Sequence, residues 1–336
     1  MIAGPALTAW LADRDGQSRS LAAVNAFSER WRLQPLMTRL QRALADRPEP
    51  TAEGVLDAAR AFLDSTDEIG LLMEQLIAAS RKDPYFRPPF HSLASEVHAG
   101  LVLFNDAELS IALGVSGVER VAAKKADERA SGSIAFAGVT QLFRYLKAGG
   151  ATLSFWEAPP ITDSFLASRA GKCRLVDRRR IEDGEEILID GRYQSFVVEH
   201  ASSDLLFLQA TVHVGAAPLV VEYDGSTHNF VGASSTDEAS SRVQMMVSLL
   251  RTMERADALP LIEESLASPH FYTRWHVMRE LLALDAEAAL PALRRMAAAD
   301  PHPEVRGAAR QTLDMFFPDE REEEGAAEQG GVQCRA

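Results

Sequence analysis

The chain has 336 residues, of which 46% are hydrophobic and 25% are charged, enough apolar material for a sizeable core in two or three domains. It carries 35 Lys and Arg residues against 48 Asp and Glu residues, and the formal net charge of -13 excludes a broadly basic surface for nucleic acid or an anionic membrane. Two cysteines, Cys173 and Cys334, cannot build a disulfide framework, and no apolar run is long enough to cross a bilayer. The N-terminus also lacks the basic segment of a signal peptide, so we expect a cytoplasmic protein.

The first 90 residues are predicted to be helical. Apolar residues recur at helical spacing over 33–44, and Pro48 and Pro50 end that helix because a proline cannot donate a backbone hydrogen bond. A second helix is predicted around Val55 and a third from near Thr66, each with an apolar stripe on one face.

From residue 99 to residue 223 the pattern changes to short apolar runs separated by turn residues. The runs 99–104 and 108–115 are joined by Asn105-Asp106, which predicts a β-hairpin. Further strands are predicted at 133–137, 141–147, 152–156, 172–176, 187–190, 194–200, 205–213 and 219–223. About ten short strands at this spacing indicate an antiparallel sandwich or barrel.

The segment Arg180-Ile-Glu-Asp-Gly-Glu-Glu-Ile-Leu-Ile-Asp-Gly-Arg192, with the strands that follow it, resembles the cupin family. The resemblance implies a double-stranded β-helix, or jelly-roll, barrel. The usual metal motif of that family contains two histidines one residue apart, and no His-x-His occurs in this sequence. The resemblance therefore bears on the fold more than on catalysis.

An internal repeat follows the barrel. Ala258-Leu259-Pro260 recurs as Ala289-Leu290-Pro291, and the second copy continues into Asp-Pro-His-Pro-Glu-Val-Arg at 300–306. This second copy resembles the HEAT family of helical hairpin repeats. The resemblance implies that Arg274 and Arg306 occupy the structural arginine position and tie neighbouring hairpins together.

The boundaries of the repeat region are predicted from caps and composition. Ser235-Thr236-Asp237-Glu238 has the pattern of a capping box, with the serine as N-cap of a helix. The acidic residues after Pro318 indicate a disordered tail. The predicted fold class is α+β, with a helical N-terminal region at 1–90, a cupin-like antiparallel jelly-roll barrel at 91–233, HEAT-like helical repeats at 234–317 and the acidic tail at 318–336.

Three side chains late in the predicted barrel form the first candidate metal site. A turn at Ser202 would pair the strand ending at His200 with the next strand, and a turn at Gly215 would return the chain beside it. His200, Asp224 and His228 would then share one end of the sheet, and their groups are common ligands of Fe, Mn, Ni or Zn ions. The alternative is that all three are ordinary turn and rim residues, because a slip of one residue turns a side chain to the other face.

His91, Glu96 and His98 form the second candidate metal site. Glu96 and His98 are two residues apart, so a strand would place both side chains on one face. The alternative is an isolated polar pair at the entrance of the barrel.

Two other features are expected to be inert. Cys173 has the basic neighbours Lys172 and Arg174 but no histidine near it in sequence, which predicts an unreactive strand cysteine. The arginines at 178–180 are followed closely by acidic residues, which predicts a solvated turn.

Three functions are consistent with the sequence, and no catalytic residue is identified. The first is a non-catalytic binding or scaffold protein that holds a small ligand or a protein partner. The alternative is a metal-dependent cupin-type enzyme, an oxygenase or isomerase, with an unusual ligand set for a divalent metal. The third is a regulator that senses a small molecule. We expect partners other than nucleic acid or membrane, and the oligomeric state stays open.

Overall fold

A computed structural model describes residues 5–47, 49–95, 97–120, 122, 132–162 and 165–317. The predicted acidic tail lies outside these residues. The chain divides into two compact units, Met1–Ile161 with Ala170–Gly232, and Thr162–Arg169 with Ala233–Ala336. None of the described helices is long and apolar enough to span a bilayer.

The N-terminal region is helical, as predicted. Its helices are α1 (Pro5–Ala12), α2 (Arg14–Arg32), α3 (Pro35–Ala45), α4 (Ala52–Leu63) and α5 (Thr66–Lys82). The last three correspond to the helices predicted individually, and α1 and α2 fill the region before them. The Thr51 side chain caps α4 by accepting a hydrogen bond from the backbone amide of Gly54.

Strands follow these helices. They are β1 (His91–Ala94), β2 (His98–Asn105), β3 (Leu109–Ser116), β4 (Ser133–Phe136), β5 (Thr140–Lys147), β6 (Thr152–Glu157), β7 (Arg174–Arg180), β8 (Glu186–Asp190), β9 (Gln194–His200), β10 (Leu205–Val212), β11 (Leu219–Asp224) and β12 (Phe230–Ser235). The predicted hairpin of β2 and β3 is confirmed by their antiparallel pairing. The arginines at 178–180 were predicted as a turn, which is wrong, because they end strand β7 and pair with β6.

Strands β3 to β10 are arranged as a jelly roll. One sheet has the order β1-β2-β3-β10-β5-β8, and β7, β6 and β9 form a second sheet. The Ser195 hydroxyl on β9 donates to the Ala135 carbonyl on β4 at 2.5 Å, which places β4 beside β9. The strands β3, β10, β5 and β8 of the first sheet and the strands β4, β9, β6 and β7 thus form two four-stranded layers, the arrangement of a double-sheet jelly roll. The predicted α+β class with an antiparallel jelly roll is confirmed.

The two faces of the six-stranded sheet have different neighbours. Alternate residues of β10, among them Leu208 and Val212, belong to one buried cluster with Phe62 of α4 and Leu36 of α3. Phe207, which precedes Leu208 and points to the other face of β10, belongs to a separate cluster. Side chains alternate between the two faces of a strand, so one face of this sheet packs against the N-terminal helices and the other face lines the interior of the jelly roll.

The second unit contains α6 (Glu238–Thr252), α7 (Leu259–Glu264), α8 (Phe271–Leu284), α9 (Ala286–Ala299) and α10 (Pro303–Phe316). The predicted cap of α6 is corrected by one detail. Asp237 is the N-cap, and its carboxylate accepts from the Ser240 amide at 2.6 Å, while the Ser235 hydroxyl accepts from the Asp237 amide. A helix dipole favours this carboxylate position over that of a neutral hydroxyl.

The two arginines of the repeats hold neighbouring helices, as the HEAT resemblance implies. The Arg274 guanidinium donates from Nε and Nη2 to the Asp300 carboxylate, both at 2.7 Å. Arg306 Nη1 donates to the carbonyls of Asp300 and Pro301. Asp300 follows α9, so both arginines fix the end of that helix.

Candidate functional site

The interior of the jelly roll contains a cavity of about 830 Å³. Its walls come from both sheets, with Phe143, Phe207 and Gln209 on one side and Gln194 and Phe196 on the other. Residues of β2, β3 and β4 complete the lining. The cavity is therefore formed by the strand faces that point away from the N-terminal helices.

Aromatic rings form the centre of the lining. The Phe143 ring lies 5.1 Å from that of Phe196, edge to face, and 5.9 Å from that of Phe207. The Tyr145 ring lies 5.9 Å from that of Phe207. Such contacts hold the rings in defined orientations, so the aromatic wall is preorganised.

Gly114 makes room for one of these rings. A Cβ atom at this position would lie 2.7 Å from two ring carbons of Phe207. Only glycine lets the Phe207 ring lie directly against strand β3 in this position.

The polar groups of the lining are mainly carboxamides and hydroxyls. The Gln194 side-chain oxygen accepts from the Asp190 amide at 3.2 Å, and Gln209 Nε2 donates to the Thr211 hydroxyl at 3.3 Å. Gln141 on β5 also faces the cavity. The described lining residues include no Asp, Glu, Lys or Arg, and His98 is the titratable base among them, so these side chains offer mainly hydrogen bonds.

Tyr145 carries a hydroxyl on a large aromatic side chain that is almost fully buried, at 2% exposure. Burial, with a smaller contribution from the Glu185 carboxylate, raises the pKa of the Tyr145 hydroxyl well above its usual value. The hydroxyl is therefore a neutral donor at physiological pH. No described residue accepts a hydrogen bond from it.

One pair of lining residues combines a potential nucleophile with a base. His98 Nδ1 and Ser116 Oγ are hydrogen-bonded at 2.6 Å. The two backbone amides that follow Ser116 already donate, that of Gly117 to the Val97 carbonyl and that of Val118 to the Asp204 carboxylate. Because neither amide is left to stabilise an oxyanion, we assign this pair to hydrogen bonding rather than to acyl transfer.

The first candidate metal site is not brought together, because both strand pairings on which it depends are different in the structure. His200 lies opposite Thr152, at one end of β6. The His228 ring lies 4.8 Å from that of Trp156, four residues further along β6, a separation of about 13 Å along a strand. The Asp224 carboxylate accepts from the backbone amides of Ser226 and Thr227 and stabilises its own turn.

The second candidate site is likewise not brought together. His91 on β1 pairs with Val102, whereas His98 lies at the opposite end of β2 and pairs with Ser116. Glu96 lies outside the described residues. Of the three, His98 lines the cavity.

Among the described residues, no group of three or more His, Cys, Asp and Glu side chains is arranged to hold a metal ion. Cys173 is buried, and burial raises the pKa of its thiol, which agrees with the predicted unreactive cysteine.

The cavity residues have a pattern that sequence inspection missed. Gln141 precedes Phe143 by two residues on β5, Gln194 precedes Phe196 by two on β9, and Gln209 follows Phe207 by two on β10. Spacing by two places both side chains on one strand face. A glutamine two residues from a phenylalanine on each of three strands is thus a sequence pattern that indicates one interior lined by carboxamides and aromatic rings.

Comparison by sequence identifies the helical repeats. Residues 234–314 match the sequence model of the family described as HEAT repeats. The match covers helices α6 to α9 and most of α10, and it confirms the resemblance predicted for this region. No curated protein matches the chain.

Solved structures similar to this chain include an oxalate oxidase, AerE from Microcystis aeruginosa and a DMSP lyase. The oxalate oxidase is 13% identical with a TM-score of 0.22, over 35% of this chain and 52% of that one. AerE is 12% identical with a TM-score of 0.24, over 43% and 60%. The DMSP lyase is 12% identical with a TM-score of 0.25, over 60% and 95%. The chain thus spans less than two thirds of the first two proteins, and scores this low carry no argument about function.

Proposed function

We propose that this chain is a binding protein that holds a small organic molecule in the cavity of its jelly roll. The observation that carries the proposal is the cavity of about 830 Å³ with walls from both sheets. Ligand sites typically have volumes of about 300–1,000 Å³, apolar and aromatic walls and a few oriented polar groups. The aromatic wall and the carboxamides of Gln141, Gln194 and Gln209 match that description.

A cavity-filling substitution tests the proposal. Ala112 lies on β3 and lines the cavity, so Ala112→Phe should occupy part of the space without removing a hydrogen bond. The probe is N-phenylnaphthylamine, an uncharged dye that becomes fluorescent in apolar surroundings. We expect the wild-type chain to bind the dye saturably and the Ala112→Phe variant to bind it at least about tenfold more weakly.

Val176→Phe is the matched control, because Val176 lies on β7 and is 43% exposed. This variant should bind the dye like the wild type. Equal dye binding by all three proteins, with unchanged thermal unfolding, would contradict the proposal.

The metal-dependent alternative has its own measurement. Elemental analysis of the chain purified without chelator or affinity tag would detect iron, manganese, nickel or zinc. A stoichiometric metal that is retained in a His98→Ala variant would contradict the cavity as the functional site. Labelling of Ser116 by a fluorophosphonate would instead show that the His98 and Ser116 pair is catalytic.

A further inference from the structure

The lining of the cavity specifies more than its size, because its side chains restrict the chemistry of a ligand. We propose that the ligand is an uncharged aromatic compound with a hydrogen-bond acceptor, and that the Tyr145 hydroxyl donates to this acceptor. The inference rests on the proposed function and names the ligand class for the same cavity.

The aromatic part follows from the position of the rings. Phe143, Tyr145 and Phe207 stand on one sheet and Phe196 stands on the other, so rings reach the cavity from both of its walls. The ring contacts of 5.1–5.9 Å described above fix their orientation. A planar aromatic ligand would make offset or edge-to-face contacts with them.

The absence of charge on the ligand follows from the polar groups. No Asp, Glu, Lys or Arg is among the described lining residues. The one imidazole of the lining, His98, is hydrogen-bonded to Ser116, so an ionised ligand would lose its hydration with no carboxylate, ammonium or guanidinium group among these residues to offset the loss. Carboxamides of Gln141 and Gln194 solvate neutral polar groups without such a penalty.

The acceptor follows from Tyr145. Its side chain is 2% exposed and lines the cavity, so its hydroxyl is placed to donate to a molecule bound there. Buried tyrosine hydroxyls generally have a partner. A carbonyl or ether oxygen of a ligand would provide that partner, because an acceptor is what this neutral hydroxyl lacks.

Three naphthalene probes of nearly equal shape separate these features. Methyl naphthyl ketone is neutral and carries an acceptor, ethylnaphthalene is neutral without an acceptor, and naphthoate is an anion. Displacement of N-phenylnaphthylamine from the full chain measures the dissociation constant of each probe. We expect the ketone to bind about fivefold more tightly than ethylnaphthalene and at least about tenfold more tightly than naphthoate.

The Tyr145→Phe variant removes the donor and keeps the ring. It should lose most of the preference for the ketone over ethylnaphthalene, with little change in the affinity for ethylnaphthalene itself. Tyr223→Phe is the matched control, because the Tyr223 hydroxyl is buried elsewhere and donates to the Ala170 carbonyl at 2.9 Å. The control should retain the preference, and thermal unfolding of both variants shows whether they fold.

Two results would overturn the inference. Naphthoate binding as tightly as the ketone would show that the cavity accepts a charge, and an undiminished preference for the ketone in Tyr145→Phe would remove the role of Tyr145. If the three naphthalenes fail to displace the dye while the dye still binds in the cavity, the recognition of an acceptor by Tyr145 is wrong and the proposed function stands. If the dye does not bind either, both fail.

Discussion

At the residue scale, the ion pair of Arg274 and Asp300 shows how burial changes the contribution of an ion pair to the free energy of unfolding. The two side chains are 9% and 4% exposed, and the guanidinium also donates to the carbonyls of Ser268 and Pro269. These partners of Arg274, Asp300, Ser268 and Pro269, all lie in the helical unit. Removal of the guanidinium would leave the Asp300 carboxylate buried without its counter-charge.

We expect Arg274→Ala to lower the free energy of unfolding of the helical unit by about 3–5 kcal/mol. Hydrogen exchange of the backbone amides in α8 and α9 measures this loss in the full chain. Arg242→Ala is the control, because Arg242 pairs with Glu238 and the two side chains are 68% and 80% exposed. An exposed pair contributes little, so equal effects of the two substitutions would contradict the assignment.

His302 provides a second residue-scale prediction, in which stability depends on pH. Its side chain is 6% exposed and its ring stacks on that of Phe271, with centroids 3.8 Å apart. Burial lowers the pKa of His302 below 6.5 and outweighs the groups that favour the charged imidazole, which are Glu304, Asp300 and the Phe165 backbone. Arg274 also disfavours the charged form.

Because the unfolded imidazole has a pKa of 6.5 and the folded one a lower pKa, the unfolded chain binds a proton first as the pH falls. We therefore expect the protection of α10 amides to decrease between about pH 7 and about pH 5 in the wild type. In His302→Phe, which keeps a ring beside Phe271, this dependence should be reduced. The same pH dependence in both proteins would assign it to another group.

At the element scale, two glycines have opposite expected effects because of what surrounds them. Gly114 lies on β3 with the Phe207 ring 2.7 Å from the position of a Cβ atom, whereas Gly70 lies inside α5, where a Cβ atom would meet nothing within 4 Å outside the backbone of its own helix turn. A glycine inside a helix is less favourable than alanine by about 0.5–1 kcal/mol.

We expect Gly114→Ala to destabilise the first unit by about 1–3 kcal/mol, because the Phe207 ring has to move against Phe143 and Tyr145. Gly70→Ala should stabilise the same unit by about 0.5–1 kcal/mol. Urea denaturation of the full chain gives both values. An unchanged free energy of unfolding in Gly114→Ala would show that the Phe207 ring has room to move. Dye binding would then report whether the cavity changes shape.

At the scale of the whole first unit, the N-terminal helices and the sheet share one apolar cluster. Phe62 of α4 is 2% exposed and belongs to the same cluster as Leu208 and Val212 of β10. Arg60 of α4 also pairs with Glu186 of β8 at 3.0 Å. The helices therefore cover one face of the jelly roll and should unfold together with it.

We expect Phe62→Ala to lower the free energy of unfolding by about 3–5 kcal/mol and to increase amide exchange in β10 as well as in α4. Ile77→Ala is the control, because Ile77 is 48% exposed on α5 and should have a small effect. Increased exchange confined to α4 would show that the helices open independently of the sheet.

The sequence by itself determined the type and the approximate ends of most elements. Helical spacing at 33–44, the prolines after it and the Asn105-Asp106 turn act within a few residues, so their effects are readable along the chain. The arginines of the repeats were also readable, because the HEAT resemblance includes their positions.

The pairing of strands was decided only by the tertiary structure. The sequence suggested that β9 pairs with β10 across the turn at Ser202, but in a jelly roll these strands belong to different sheets, and β9 pairs with β6. His200 and His228 are consequently separated, while Tyr145, Phe196 and Gln209 come from three strands to one cavity. The physical reason is that a side chain's face follows from local alternation, whereas its neighbours across a sheet depend on packing of distant segments.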